Sequence, residues 1–134
     1  MEKFVNDGYC VLNIDHKQPR KRNHTEYFVN IDITDFDVLC ECITKFNPDY
    51  IIHLAARTDL SGKALDDYSA NTVGVKNILE VSKNVPDLKK IIIASSMLVC
   101  SLGYKPKDQF DYHPTTIYGK IAVVIKILIP EVKY

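Results

Sequence analysis

Apolar residues fall in short runs that end on carboxylates. Tyr9–Ile14 (YCVLNI) runs into Asp15, and Glu26–Ile31 (EYFVNI) runs into Asp32. A short, nearly continuous apolar run is the pattern of a strand covered on both faces, so both segments are predicted as buried strands with an acid at each C-terminal end. From Thr34 the period changes. Phe36, Leu39, Cys40, Ile43 and Phe46 recur at helical spacing, with Thr34 as the expected N-cap, Asp35 and Asp37 in the first turn, and Asn47-Pro48 as the stop. Tyr50–Leu54 (YIIHL) is predicted as a third strand running into Ala55-Ala56. A helix is expected from about Asp66 to Asn84, with Val75, Ile78 and Leu79 on its inner face. Lys90–Ala94 (KIIIA) is the fourth predicted strand and runs into Ser95-Ser96. After a loop holding Gly103, Pro106 and Pro114, a last helix is expected from Thr115 or Thr116, ending before Pro130.

Strands alternating with helices at this spacing predict parallel βαβ units, with helices on both faces of a twisted sheet. Ligands bind such sheets at the C-terminal ends of the strands. Asp15, Asp32, the residues after Leu54, and Ser95-Ser96 all fall at such ends. The chain contains no internal repeat, low-complexity tract or linker.

Composition narrows the picture without adding chemistry. A length of 134 residues suits one domain with one core and leaves no room for a second. Seventeen basic and seventeen acidic residues cancel, which gives no global field for nucleic acid or an anionic membrane. The basic run Lys17, Arg20, Lys21, Arg22 and His24 is read as a solvated loop. The four cysteines come without a secretory signal pattern, so free thiols in the cytoplasm are expected rather than a disulfide framework. Cys40 and Cys42, two apart in a predicted helix, point to different faces, and no metal site is expected. The most apolar stretch, Ile121 to Ile129, is interrupted by Lys126 and is too short to cross a bilayer.

Six segments in order carry a family resemblance: VLNID at 11–15, DITD at 32–35, HLAA at 53–56, NTVGVKNILE at 71–80, IIIASSMLVC at 91–100 and HPTTIYGK at 113–120. From about Asp7 to Gly119 the sequence resembles the NAD-dependent epimerase/dehydratase branch of the extended short-chain dehydrogenase/reductases, the branch that modifies nucleotide sugars. Each piece alone is weak, and their order and spacing together are specific. The fold this implies is a Rossmann-like, doubly wound parallel α/β sheet, with residues 1–134 forming a partial NAD(P)-binding domain.

The resemblance also implies roles. Asp15 matches the acid that binds the adenosine ribose hydroxyls. A carboxylate accepts two such hydrogen bonds and repels the 2′-phosphate of NADP, so NAD is the expected cofactor. By the same match Asp32 takes the adenine amine and Ile33 packs on its ring. Leu54, Ala55 and Ala56 lie against the cofactor, and Thr58 and Asn71 face it. A helix-surface amide is the competing reading of Asn71. Counting back from Cys100 places Ser96 at the catalytic serine, with Ser95 beside it in a cofactor-binding position. Tyr118 matches the tyrosine that removes a proton from a sugar hydroxyl while hydride leaves the same carbon for the nicotinamide. A free tyrosine ionises near pH 10, so such a base needs a neighbouring cation, which a lysine of the Y-x-x-x-K pattern provides in the family.

Two departures stand against a working enzyme. The residue four after Tyr118 is Ala122, and Lys120 lies about 200° around a helix from Tyr118. One missing residue after Gly119 would let the downstream apolar pattern keep the family's spacing. The glycine-rich dinucleotide motif, which belongs about 20 residues before Asp15, is not among these residues. The first strand, the pyrophosphate loop and most of the first helix are therefore expected to be missing, leaving a gap at the centre of the sheet. A fragment, a truncated gene product or a decayed paralogue is the expectation. Three functions remain open: an enzyme acting on a nucleotide sugar, incomplete or inactive as given; a non-catalytic descendant that binds a nucleotide or a partner; and a reductase of a non-sugar carbonyl. A homodimer is expected only of a full-length relative.

Overall fold

The computed structural model describes residues 1–128. A short helix α1 (Glu2–Asn6) precedes strand β1 (Asn13–Asp15) and, after a 3-10 turn at Arg22–Tyr27, strand β2 (Phe28–Asn30). Helix α2 (Phe36–Phe46), strand β3 (Tyr50–His53), helix α3 (Ser69–Ser82) and strand β4 (Lys90–Ile93) follow, and helix α4 (Ile117–Leu128) comes last. Further 3-10 turns at Asp66–Tyr68 and Met97–Val99 lead into α3 and follow β4. The expected stop of the last helix before Pro130 lies outside the described residues.

The strands are shorter than their apolar runs. Tyr9 closes α1 instead of starting β1: its N–H bonds the carbonyl of Phe4, and the two rings pack edge to face at 5.9 Å. Glu26 and Tyr27 belong to the 3-10 turn rather than to β2. The strands are covered on one face, not on both as the apolar runs predict. Ile51 and His53 of β3 point inward, whereas Tyr50 and Ile52, with Ile92 of β4, are exposed. The helices explain this, because α2 packs on α3 and α3 on α4, forming a layer against one face only.

Pairing is parallel throughout. β1 pairs with β2, placing Asp15 opposite Asn30, and β3 pairs with β4, placing His53 opposite Ile93. The two pairs form separate two-stranded sheets, so backbone pairing among the described residues is interrupted at the expected central position.

Helix α2 carries the clearest sequence signal and follows it, with one correction at its start. Asp35, not Thr34, is the N-cap, and its side chain accepts the Val38 N–H at 3.4 Å. Thr34 is drawn back instead, giving both its N–H and its hydroxyl to Asp32 Oδ1 at 2.9 and 2.7 Å. Leu39 and Ile43 fill the core with Ile31, Ile33, Ile78, Val81 and Val85. At the C-terminal end Asn47 takes a left-handed conformation (φ 48°) and Pro48 prevents continuation.

Helix α3 fastens the two sheets to each other. Asn77 is buried and donates to the carbonyls of Ile33 and Thr34, just beyond β2, at 2.9 and 3.1 Å. Six residues earlier Asn71 grips the chain just beyond β3: its Oδ1 accepts the Arg57 N–H at 2.8 Å, and its Nδ2 donates to the Arg57 carbonyl at 3.0 Å. Between them Gly74 lies against the Ile33 side chain, where a β-carbon would have no room.

Candidate functional site

The register of β3 and β4 sets the site. Because His53 stands opposite Ile93, Leu54–Ala56 and Ala94–Ser96 leave the sheet level with one another. Helix α4 then closes over them. A β-carbon at Gly119 would collide with the backbone carbonyl of Leu98, so glycine is what lets the first turn of α4 touch the turn that follows Ser96. Thr116 starts that helix by accepting the Gly119 N–H on its hydroxyl at 2.9 Å. Tyr118, in that first turn, is thereby brought to the serines.

One cleft gathers Leu54, Ala55, Ala56, Asn71, Ser95, Ser96 and Tyr118. Its deeper wall is apolar, with Val75, Ile93, Ala122 and Ile125. Ser96 accepts the Leu98 N–H on Oγ at 3.2 Å. A hydroxyl accepts and donates at once, so this bond fixes the rotamer and leaves the Ser96 proton free for an oxygen in the cleft. Asn71 is only 3% exposed and both ends of its amide are bonded to the Arg57 backbone, which overturns its reading as a surface amide.

Asp15, Asp32, Ile33 and Thr58 lie outside this cleft. Asp15 ends β1 exposed, with Oδ1 accepting the Lys17 N–H at 2.9 Å. Asp32 is exposed just beyond β2, and the Thr34 N–H, then its hydroxyl, hold the carboxyl below its ordinary range. Asp32 therefore stands ionised at neutral pH, and both acids lie on solvent-facing strand ends, where a carboxylate can accept the hydroxyls and amine of an adenosine. Ile33 is buried against Gly74, and Thr58 is exposed.

The other half of the site lacks a charge. Ala122 occupies the wall beside Tyr118, and among the described residues no lysine or arginine lines the cleft. Lys120 is exposed, and Lys126 lies 5.3 Å from the centroid of the Tyr112 ring.

The sequence assigns no role to three residues of the site, although His53 and Gly119 lie within two of the six segments. His53 is 6% exposed, lines the cleft, and has Nε2 buried without a hydrogen-bond partner; burial pushes its pKa down, so the imidazole is neutral. Gly119 and Tyr68 act through contacts with residues far away in sequence, which no local pattern announces. Among the described residues no cluster of metal-ligating side chains occurs, the four cysteines are free, and no helix is long and apolar enough to cross a membrane.

Residues 1–127 match the model of the NAD-dependent epimerase/dehydratase family. The chain belongs to that family. Among its relatives, a UDP-glucuronate 4-epimerase of Thermodesulfobacterium geofontis is 28% identical over 126 residues, which are 91% of this chain and 38% of that protein. A dTDP-glucose 4,6-dehydratase of Haemophilus influenzae is 39% identical over 114 residues, 72% of this chain and 33% of the relative. The fold is that of a UDP-glucose 4-epimerase from Thermotoga maritima solved with UDP-glucose, at a TM-score of 0.82 and 21% identity over 97% of this chain and 45% of that one. The Brucella ovis UDP-glucose 4-epimerase solved with NAD gives a TM-score of 0.80 at 20% identity, over 97% and 42%. The epimerase/dehydratase chain thus spans between about a third and just under half of the length of these relatives. The Rossmann-like α/β architecture expected from its sequence is the one it adopts.

Proposed function

We propose that these residues carry the adenosine-binding edge and the hydroxyl-binding pair of an NAD-dependent enzyme acting on a nucleotide sugar, and that they do not by themselves complete its chemistry. One observation carries this reading: Ser96 and Tyr118 share a cleft whose wall holds Ala122 where the motif has lysine. NAD, when bound, would supply a hydride acceptor. The residues present would supply part of what remains. Asp15 would bind the ribose hydroxyls, Asp32 the adenine amine, and the small side chains of Ala55 and Ala56 would admit the cofactor close to the backbone. Ser96 would donate to the reacting oxygen, and Tyr118 would exchange its proton. The nucleotide sugars named for the relatives make that class the proposed substrate.

The carboxylate at Asp15 favours NAD over NADP, because a 2′-phosphate would meet a like charge there. The unpaired cysteines support a reducing compartment, the cytoplasm, and a homodimer is proposed only for a longer form. A second reading, a non-catalytic nucleotide- or partner-binding member of the family, is favoured by Ala122, which puts no cation beside the phenol of Tyr118 among the described residues. Calorimetric titration with NAD and NADP tests the common part of both. Weak binding that prefers NAD is expected, since no glycine-rich pyrophosphate loop is among these residues. Preference for NADP would overturn the assignment of Asp15.

A further inference from the structure

The connection from β3 to α3 folds onto a single side chain. Arg57 bonds both oxygens of Asp59 at 2.7 and 3.0 Å, and it also reaches Ser61 Oγ at 3.1 Å and the Asp67 carbonyl at 2.8 Å. Asp59 in turn accepts the N–H and the hydroxyl of Ser61. Asp67 holds the N–H groups of Lys63 and Ala64 at 2.8 and 3.0 Å. This closed loop ends on Tyr68, which is 1% exposed and donates its hydroxyl to the Asp59 carbonyl at 3.0 Å. The Arg57 guanidinium lies 5.2 Å from the centroid of the same ring, and a β-carbon at Gly62 would run into it. The ring also packs on Tyr118, with centroids 6.1 Å apart and planes tilted by 48°.

Tyr68 is anchored along its whole length, by backbone in α3's entry turn, by its ring in the core and by its hydroxyl on the loop. Tyr118 lines the cleft half-buried, and among the described residues no hydrogen bond holds its hydroxyl, so its rotamer is selected by what stands beside it. Tilted aromatic pairs have a preferred geometry, so a fixed ring restricts a freer one. We propose that Tyr68 is the positioning residue for Tyr118, and that it ties the Arg57–Asp59 loop to the candidate site. This rests on the reading of Tyr118 as the site's phenol. On that basis the loop, whose outer residues are exposed, has a mechanical link to the group that would meet a sugar's hydroxyl.

The test is nuclear magnetic resonance of the chain labelled with 13C in its tyrosine rings, with the Tyr118 signals assigned by Tyr118→Phe. The exposed Asp59→Asn change breaks the Arg57 pairing and is made twice, in the unaltered chain and in the Tyr68→Phe background, which keeps the ring and removes the hydroxyl. A cycle of this kind isolates the coupling from each single effect. The expected result is that Asp59→Asn moves the Tyr118 signals in the unaltered chain and moves them much less in the Tyr68→Phe background. A cross-peak between the Tyr68 and Tyr118 ring protons of the unaltered chain is also expected. Absence of that cross-peak, no response of Tyr118 to Asp59→Asn, or an equal response in both backgrounds would overturn the proposal. A separate arm adds saturating NAD. A Tyr118 signal indifferent to NAD would count against the nucleotide reading, while the coupling measured without ligand would stand.

Discussion

Asn71 and Asn77, both on α3, hold the chain immediately beyond β3 and beyond β2. The two sheets have no backbone pairing with each other among the described residues, so these two amides do work that a continuous sheet would share. They tie the segments that follow β2 and β3, near Asp32 and Ala56, to one helix.

Asn77→Ala is therefore expected to destabilise the chain by about 1 to 3 kcal/mol, because it leaves the Ile33 and Thr34 carbonyls without their donor. Urea unfolding measures this. A loss of only a few tenths of a kcal/mol would mean that water replaces the amide freely.

At Gly119 two effects oppose. Glycine inside a helix costs about 1 kcal/mol relative to alanine, so Gly119→Ala in an isolated helix would stabilise. Here the new β-carbon meets the Leu98 carbonyl, part of the backbone and unable to swing aside. Overpacking costs about 1 to 3 kcal/mol, and the expected net result is destabilisation with α4 displaced from the Ser96 turn. Thermal unfolding decides the sign.

His53 gives the chain a pH dependence near neutrality. Burial lowers its pKa in the folded chain from an ordinary 6.5, so as pH falls the unfolded chain takes up the proton first. Stability should be full above pH 6.5 and decline below it, by up to about 1.4 kcal/mol for each pH unit until the folded imidazole also titrates. The carboxylates of Glu2, Asp32, Asp59, Asp67 and Asp111 are held below their ordinary range chiefly by hydrogen bonds, with Lys21 helping at Glu2 and Arg57 at Asp59 and Asp67. Their contribution is lost only on further acidification. His53→Leu should thus flatten the decline between pH 6.5 and 5 and leave the acid limb in place. An unchanged profile in that variant would place the titration elsewhere.

Asp15→Asn should weaken NAD binding about tenfold or more, the usual value of a charge-assisted hydrogen bond, and narrow the margin over NADP. Calorimetry with both cofactors reads it. Unchanged NAD affinity would remove Asp15 from the ribose site.

Much of this was legible in the sequence because it rests on local pattern. The spacing of Leu39 and Ile43 and the Asn47-Pro48 stop define α2 within a residue or two, and the small and hydroxylated residues after β3 and β4 mark the cleft. The strand starts were not legible. The apolar run from Tyr9 to Leu12 has strand composition, but packing against Phe4 decides the position of Tyr9, and a 3-10 turn takes Glu26 and Tyr27. The exposed face of β3 and β4 was missed for a related reason, since an apolar run signals burial without saying what covers it. Asn77, Tyr68, His53 and Gly119 escaped because each acts across 15 or more residues of sequence or through a close backbone approach.

The central claim is that Tyr118 and Ser96, proposed as the site's reacting pair, share one cleft that no lysine or arginine among the described residues lines, and that these residues include no pyrophosphate loop. Ala122→Lys supplies a cation and repairs proton transfer alone. Hydride transfer still requires reacting atoms about 3 to 3.5 Å apart, which a loosely held cofactor does not maintain. The direct measurement is NADH formation and sugar conversion over a panel of nucleotide sugars. It compares the 134-residue chain, its Ala122→Lys variant, and that variant joined to a family-like first strand and glycine loop. Activity is expected only in the last, and turnover by either of the first two would contradict the account.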